Sequence, residues 1–442
     1  MSAFDLTLKL FLQLTVILAV CRVVGLLGRH IGQTQVVSEM IAGVMLGPSL
    51  FGLLAPAAQE WLFPQRALIE VAGATATIAH PSMAILYAIS QVGLVLYMFL
   101  VGLEFNSDLI LGRLRSAGMV SGAGIVVPFT LGALAAVTLA GKVDLFCPGI
   151  SPAMAALYLG ASMSITAFPM LARIIFEKGI AGTRMGTLAL AAGSMDDAIA
   201  WCLLAIVLAS VKGSASIAVL AIGGGTLFAL GMVFVGKRVF GRFTLWTERD
   251  DGVSRGTLLT MLLVLMMAAW FTDFIGIYAV FGAFLTGVAM PRGRFAKEVR
   301  GHLEFLTTTF LLPIFFVYSG LNTRIGLLDS AALWGFTALI LLLAVAGKGV
   351  ACTLAARVSG EPWRESITIG TLMNARGLME LIILNIGLQE GILTPILFTI
   401  MVMMAVLTTL KASPLFEWIY GRHLALAKAE TEAVPKAAVA VQ

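Results

Sequence analysis

Two adjacent carboxylates, Asp196 and Asp197, stand near the middle of residues 183–210, a helix-length stretch that is otherwise almost wholly apolar. A carboxylate at the centre of a membrane-spanning helix costs about 2.5–3.5 kcal/mol on insertion scales, so two side by side demand compensating partners and mark a functional site. Neighbouring residues on a helix project about 100° apart, so the pair cannot face one cavity equally; one carboxylate can bind an ion while the other is paired. A carboxylate that takes either a proton or a monovalent cation couples the two movements. Protonated, it crosses neutral with its proton; ionised, it crosses with a cation. Such exchange needs no ATP, and GGGTLFALG at 223–231 lacks the lysine and the strand of a phosphate loop.

The composition fits a membrane setting. The chain has 442 residues, 59% hydrophobic and 12% charged, with mean hydropathy +0.98. Soluble domains average about 45–50% apolar and about 25% charged, so the class is a polytopic membrane protein. The excess of Lys+Arg (29) over Asp+Glu (24) is too small for a nucleic-acid partner. Cys21, Cys147, Cys202 and Cys352 show no metal-ligand spacing, so neither a disulfide framework, a zinc site nor a cofactor is expected. The first apolar run is too long for a signal peptide and lacks a small-residue cleavage site, so it reads as a retained helix.

Apolar runs long enough to cross a hydrocarbon core of ~30 Å number about thirteen: 6–27, 34–54, 82–104, 117–140, 152–173, 184–210, 214–236, 256–273, 275–291, 303–320, 330–356, 365–388 and 391–412. Residues 55–81, with Trp61 and Phe63, read as an interfacial helix. Odd-numbered connections carry the basic residues, among them Arg29, Arg113, Arg115, Lys178, Lys237, Arg242, Arg294, Lys297, Arg300, Arg357 and Arg364, while even ones carry single residues such as Arg66, Lys142, Lys212 and Arg324. The positive-inside rule then puts the odd connections and the C-terminus in the cytoplasm and the N-terminus outside, in a cell inner (plasma) membrane. The polar tail from Arg422 is expected to be disordered.

With the seventh run as a linker, runs one to six start outside and runs eight to thirteen start inside. The expected fold is an all-α polytopic membrane protein of about 13 transmembrane helices, two inverted six-helix repeats with crossed discontinuous helices. Transporters of this plan hold substrate near the bilayer midplane, where broken helices in matching positions of the two halves meet. The fifth run, LYLGASMSITAFPMLARII, places Ser162, Ser164 and Thr166 just before Pro169, which removes a helical hydrogen bond and disfavours helix at Phe168. The twelfth, ITIGTLMNARGLMELIILNIGL, has Gly370 and Gly377 flanking Asn374 and Arg376, with Glu380 one turn on as the default ion-pair partner of Arg376. Alone, the fifth run could be a proline kink without function; two irregular segments in repeat-related positions favour a binding crossover.

Lys348 lies nine residues before Arg357, about 13 Å along a helix at ~1.5 Å per residue. That is a long reach for snorkelling to the surface, and burial against a carboxylate of the sixth run accounts for it better. An intramembrane aspartyl protease needs carboxylates facing each other from different helices, which adjacent residues cannot supply. A passive cation channel would have no use for a buried lysine beside a carboxylate pair.

Together SITAFP followed by LARII, LALAAGSMDDAIAW, Lys348, NARGLMELIILNIGL, and GQTQVVSEMIAGVMLGPS at 32–49 resemble the monovalent cation:proton antiporter-2 family of sodium/proton and potassium/proton exchangers, over about residues 6–412. The resemblance implies a homodimer. Residues 117–210 and 330–412 would form a core that moves by elevator-type alternating access, 1–104 and 256–320 a dimerisation scaffold, 214–236 a linker helix and 422–442 a cytoplasmic tail. It implies that Asp197 is the ion- and proton-binding aspartate, Asp196 the variable residue before it, and Lys348 the lysine of the electrogenic exchangers. Thr166 and Asn374 fall at the crossover positions, with Ser164 beside the first and Arg376, Glu380 and Pro169 in support. Glutathione-gated potassium efflux members carry glutamine at the position of Asp196 and many plant-type members asparagine, so an aspartate pair with the lysine implies electrogenic Na⁺/H⁺ exchange. Potassium/proton exchange is the runner-up. Without the large regulatory domain of those members, ligand gating is not expected. The implied partners are H⁺, Na⁺ (or Li⁺ or K⁺), the lipid bilayer and a second copy; the chain is expected to be no enzyme.

Glu39, Gln91 and Asp273 read as structural or funnel-lining groups, the methionines as gap-fillers, and the histidines as edge residues unsuited to a central relay, His30 and His302 included. The loop charges make one expectation testable. In a cysteine-free background, a cysteine at Gly213 should react with an impermeant thiol reagent from outside and one at Ser254 only after permeabilisation; the reverse pattern would overturn the orientation.

Overall fold

At membrane depth no water satisfies backbone N–H and C=O groups, so apolar runs close their hydrogen bonds within helices. The computed structural model describes residues 2–421 except 31–32, 34, 72–73, 105–112, 140–144, 181–182, 212–214 and 276–277. In chain order the helices are α1 (Ala3–His30), α2 (Gln35–Leu46), α3 (Phe51–Leu54), α4 (Pro56–Leu62), α5 (Pro81–Glu104), α6 (Leu114–Leu139), α7 (Pro152–Ser164), α8 (Phe168–Glu177), α9 (Arg184–Val211) and α10 (Ala215–Gly231). Then follow α11 (Lys237–Arg249), α12 (Arg255–Phe274), α13 (Ala279–Ala289), α14 (Arg294–Leu306), α15 (Leu312–Gly320), α16 (Ala331–Val358), α17 (Trp363–Met373), α18 (Leu378–Gln389) and α19 (Pro395–Phe416). Eight helical segments among the described residues are long and apolar enough to cross a membrane. That is fewer than the apolar runs, in part because the fifth and twelfth runs are each split, into α7 with α8 and α17 with α18.

One expectation is corrected. Residues 55–81 form no single interfacial helix: after the short α4 the chain makes an antiparallel hairpin, β1 (Arg66–Val71) with β2 (Ala74–Ala79). The alternation of small and β-branched residues in ATATIA suits a strand better than a helix. The basic connections after the seventh and ninth runs are largely helical, as α11 and α14. In α11 the apolar stripe Phe240 and Phe243 turns inward, with Phe243 5.4 Å from the Phe295 ring of α14. Arg294 and Arg300 of α14 pair at i,i+4 with Glu298 and Glu304, each at 2.7 Å. Lys142, Lys212 and the tail from Arg422 lie outside the described residues.

Packing gathers the helices into two sets. In one, α6 lies against α7, α9 and α16, and α16 against α17 and α19. In the other, α2 lies against α1 and α15, and α13 against α5 and α12. The sets touch where α2 meets α19 and where α15 meets α18. Within the second set helices approach closely through small residues, as membrane helices without a hydrophobic driving force between them must. A Cβ on Gly320 would run into the Gly43 backbone, and one on Gly287 into the Phe99 carbonyl of α5.

Backbone cannot step aside as a flexible side chain can. Gly320→Val and Gly287→Val should each cost at least about 1–3 kcal/mol by overpacking, read as a lower melting temperature in detergent. Gly335→Ala, in open space on α16, should leave it unchanged or raise it.

Candidate functional site

The two broken helices cross. α7 stops at Ser164, Ile165 is extended (φ −69°, ψ 132°), and α8 begins at Phe168. Pro169 therefore stands at the second position of a new helix, where its missing N–H costs nothing, and it starts a helix where a kink was one expectation. α17 stops at Met373 and α18 begins at Leu378. Between the breaks the Ala167 N–H donates to the Ala375 carbonyl at 3.1 Å. A Cβ on Gly377 would come within 3.0 Å of Met170, so the closeness of the crossing calls for glycine there.

A helix that ends inside the protein leaves carbonyls unsatisfied at its C-terminus and amides at its N-terminus, with partial charges of matching sign. At the C-terminal end of α7, Arg376 donates to the carbonyls of Ser162 (3.1 Å) and Met163 (2.6 Å). Lys348 donates to the carbonyl of Ser164. At the N-terminal ends stand carboxylates: Glu380 in the first turn of α18, and Asp197 opposite the Phe168 amide of α8. Cations thus meet the negative end of α7 and carboxylates the positive ends of α8 and α18.

The two aspartates divide. Lys348 Nζ lies 3.0 Å from Asp196 Oδ2, both side chains fully buried. Thr166 Oγ1 is 2.6 Å from the same oxygen and 3.2 Å from the Met373 carbonyl, so its one proton goes to the carboxylate. Asp197 is equally buried. Apart from the Phe168 amide, neither of its oxygens has a hydrogen-bond partner among the described residues. A negative charge buried with so little compensation is costly unless a proton or cation joins it. Arg376 and Glu380 make a second fully buried pair at 3.2 Å.

The other residues picked out in sequence fall nearby in different postures. The Ser164 hydroxyl turns back to the Ala161 carbonyl at 2.8 Å, so its carbonyl and not its hydroxyl meets Lys348. Asn374 donates to the carbonyls of Val345 (3.1 Å) and Gly370 (3.4 Å). Glu39 is buried in α2 beside Gln35 at 3.0 Å, Gln91 is half-buried, and Asp273, His30 and His302 are exposed. Among the described residues no three or more His, Cys, Asp or Glu side chains cluster as a metal site.

Two contributors carry no sequence signal of their own. Gly124 of α6 lets that helix pass close to α16 beside the ion pair, since a Cβ there would come to 2.6 Å from Cys352 Sγ. Glu361, almost wholly buried in the α16–α17 connection, accepts from Arg113 (3.0 Å) and Arg184 (2.8 Å), and its carbonyl from Arg357 (3.0 Å). It ties together the ends of α6, α9 and α16, the helices that carry or flank the aspartates and the lysine.

Known proteins resemble this chain over nearly its whole length. The chain is 39% identical to the Na(+)/H(+) antiporter NhaS4 of Synechocystis sp. over 94% of its own length and 98% of that protein's. It is 34% identical to the cation/H(+) antiporter 17 of Arabidopsis thaliana over 95% of its length, spanning about half (49%) of that longer protein. In structure it matches the sodium proton antiporter MjNhaP1 of Methanocaldococcus jannaschii with a TM-score of 0.59, at 12% identity, over 95% of this chain and 99% of that one, a likeness of fold. The profile described as sodium/hydrogen exchanger, transmembrane, matches residues 15–419. Aspartates, lysine and crossed half-helices all lie within the matched residues, and the chain belongs to the transmembrane sodium/hydrogen exchanger family.

Proposed function

We propose that the protein is a monovalent cation/proton antiporter of a plasma membrane, exchanging Na⁺ for H⁺ at Asp197. One observation carries the reading: of two adjacent buried aspartates, Asp196 is held by Lys348 and Thr166, while Asp197 has only a backbone amide. Asp197 takes a proton or a cation in turn. Asp196 and Thr166 shape the site, and Arg376 with Glu380 supports the crossing. The name of the 39% identical relative favours Na⁺. The packing set of α6–α9 and α16–α19 moves as an elevator against the other set, which dimerises with a second copy, the N-terminus outside.

The stoichiometry follows from Lys348. When a cation at Asp197 draws Asp196 toward it, Lys348 becomes a buried ammonium without a counter-charge, a costly state relieved by releasing its proton. Two protons then exchange for one cation and one net charge moves per cycle. At 100 mV this adds about 2.3 kcal/mol of driving force.

In proteoliposomes with a pH dye, Asp197→Asn should abolish exchange in a protein that still elutes as folded, and wild-type rates in that variant would refute the assignment. Thr166→Ala should weaken apparent cation affinity by about tenfold, the loss of one hydrogen bond to a charged group. Titration with Na⁺, Li⁺ and K⁺ separates sodium from potassium exchange.

On a solid-supported membrane a sodium jump should give a transient current in wild type. A stable Lys348→Gln variant that still exchanges should lose it. Electroneutral wild-type exchange would overturn the two-proton mechanism and leave the antiporter reading intact.

A further inference from the structure

A proline inside a helix has no N–H to give, so the carbonyl four residues before it goes without its helical partner. In α19 that proline is Pro414, and the stranded carbonyl belongs to Leu410. Its partner comes from the other packing set. The side-chain amide of Gln33, between α1 and α2, donates to the Leu410 carbonyl at 2.9 Å. Gln33 is almost wholly buried and is fixed from behind, its backbone N–H bonding the Gly28 carbonyl of α1 at 2.9 Å. A buried carbonyl left bare costs about as much as a lost hydrogen bond, which favours the placement of the two sets in which this bond forms.

The contact falls beside the ion site. Thr409, the residue before Leu410, is buried, and its hydroxyl accepts from the Arg376 N–H at 3.0 Å and stands 2.6 Å from the Arg376 carbonyl. Arg376 in turn closes the end of α7. One turn of α19 is thus bonded both to the second break and to the opposite packing set.

We propose that Gln33 is a positioning residue of the transport cycle: with the carbonyl that Pro414 frees, it forms a catch that sets which position the moving set prefers. This rests on the elevator motion proposed above. Sliding α19 along the seam takes Gln33 out of reach and bares the carbonyl, so the caught position is favoured over the others.

Two substitutions remove the preference by opposite routes. Gln33→Met keeps the length of the side chain and loses the donor, while Pro414→Ala gives the Leu410 carbonyl an N–H of its own helix. Spin labels at Val358 of α16 and at Lys297 of α14, which packs on α5, are both exposed and report on one set each. Pulsed electron resonance on labelled protomers diluted with unlabelled ones reads the positions as distances. In wild type one distance should dominate. Each variant should raise the minor population about tenfold, the worth of one hydrogen bond whose loss strands a buried group, and the double variant should do no more than either alone. Two distances whose ratio ignores Gln33→Met, or effects that add in the double variant, would overturn this proposal alone. A merely structural role would lower the melting temperature of Gln33→Met with the populations unmoved, which also overturns it. A single distance in every variant, with exchange intact, would overturn the elevator motion and this proposal with it. Pro414→Ala restores a helical bond, so it decides the matter even if Gln33→Met does not fold.

Discussion

Everything at the centre of this protein depends on where four helix ends go. Breaking two helices inside a low-dielectric interior strands carbonyls at two C-terminal ends and amides at two N-terminal ends. Crossing the breaks lets each answer the other. Arg376, from the second break, satisfies the end of α7, and the Ala167 N–H, from the first, bonds the second break directly. The residues usually read as an ion-binding set are thus first a solution to a backbone problem. The carboxylates and cations sit where the helix dipoles want them, and a site able to hold a cation is what remains.

That arrangement explains why two aspartates are not redundant. Buried ion pairs gain little net stability, because desolvation cancels most of the attraction, but removing one partner is severe. Asp196–Lys348 and Arg376–Glu380 are each locally neutral and held in place by backbone carbonyls and hydroxyls. Neither needs a mobile ion. Asp197, turned by one residue to a different face, lacks such a partner among the described residues, and its incomplete compensation is what the proposed exchange asks of the group whose charge state alternates.

Much of this was legible in residue order, and the parts that were not share a cause. Pro169 and Gly377 marked the breaks because they are backbone rules written as side chains. The burial of Lys348 followed from its distance to the nearest surface arginine. Orientation about a helix axis leaves no such mark. Nothing in the order of residues says that the Ser164 hydroxyl folds back on Ala161 while its carbonyl meets the lysine, or that Asn374 turns toward Val345. Glu361 carries no mark in the order of residues, because its meaning lies in Arg113 and Arg184, far away in sequence. The helices α11 and α14 were hidden by counting charges for topology, where their apolar stripes held the structural information.

Both packing sets use close glycine contacts, but buried polar bonds join the helices of the first, and this bears on how such a site could travel. The second set relies on glycine-mediated contacts of backbone on backbone at Gly43, Gly320, Gly102 and Gly287, which tolerate no change of register. The first has such contacts too, at Gly132 with Gly160 and at Gly370 with Gly349, and is joined besides by polar bonds reaching from helix to helix: Thr166 to Asp196, Lys348 to Ser164, Arg376 to α7, and Glu361 to the ends of α6 and α9. A unit moving through a membrane must keep its buried charges compensated at every step, since an ion pair opened partway costs several kcal/mol per ion. Bonds that run only within one packing set meet that condition. Where the sets touch, Gln33 donates to the Leu410 carbonyl at 2.9 Å and the Arg324 amide to Thr399 at 3.1 Å. These are single neutral bonds, each worth about 0.5–1.5 kcal/mol net, which exchange readily for others. The weak seam therefore falls between the sets and not through the ion site, which is the division of strength that the proposed elevator motion requires.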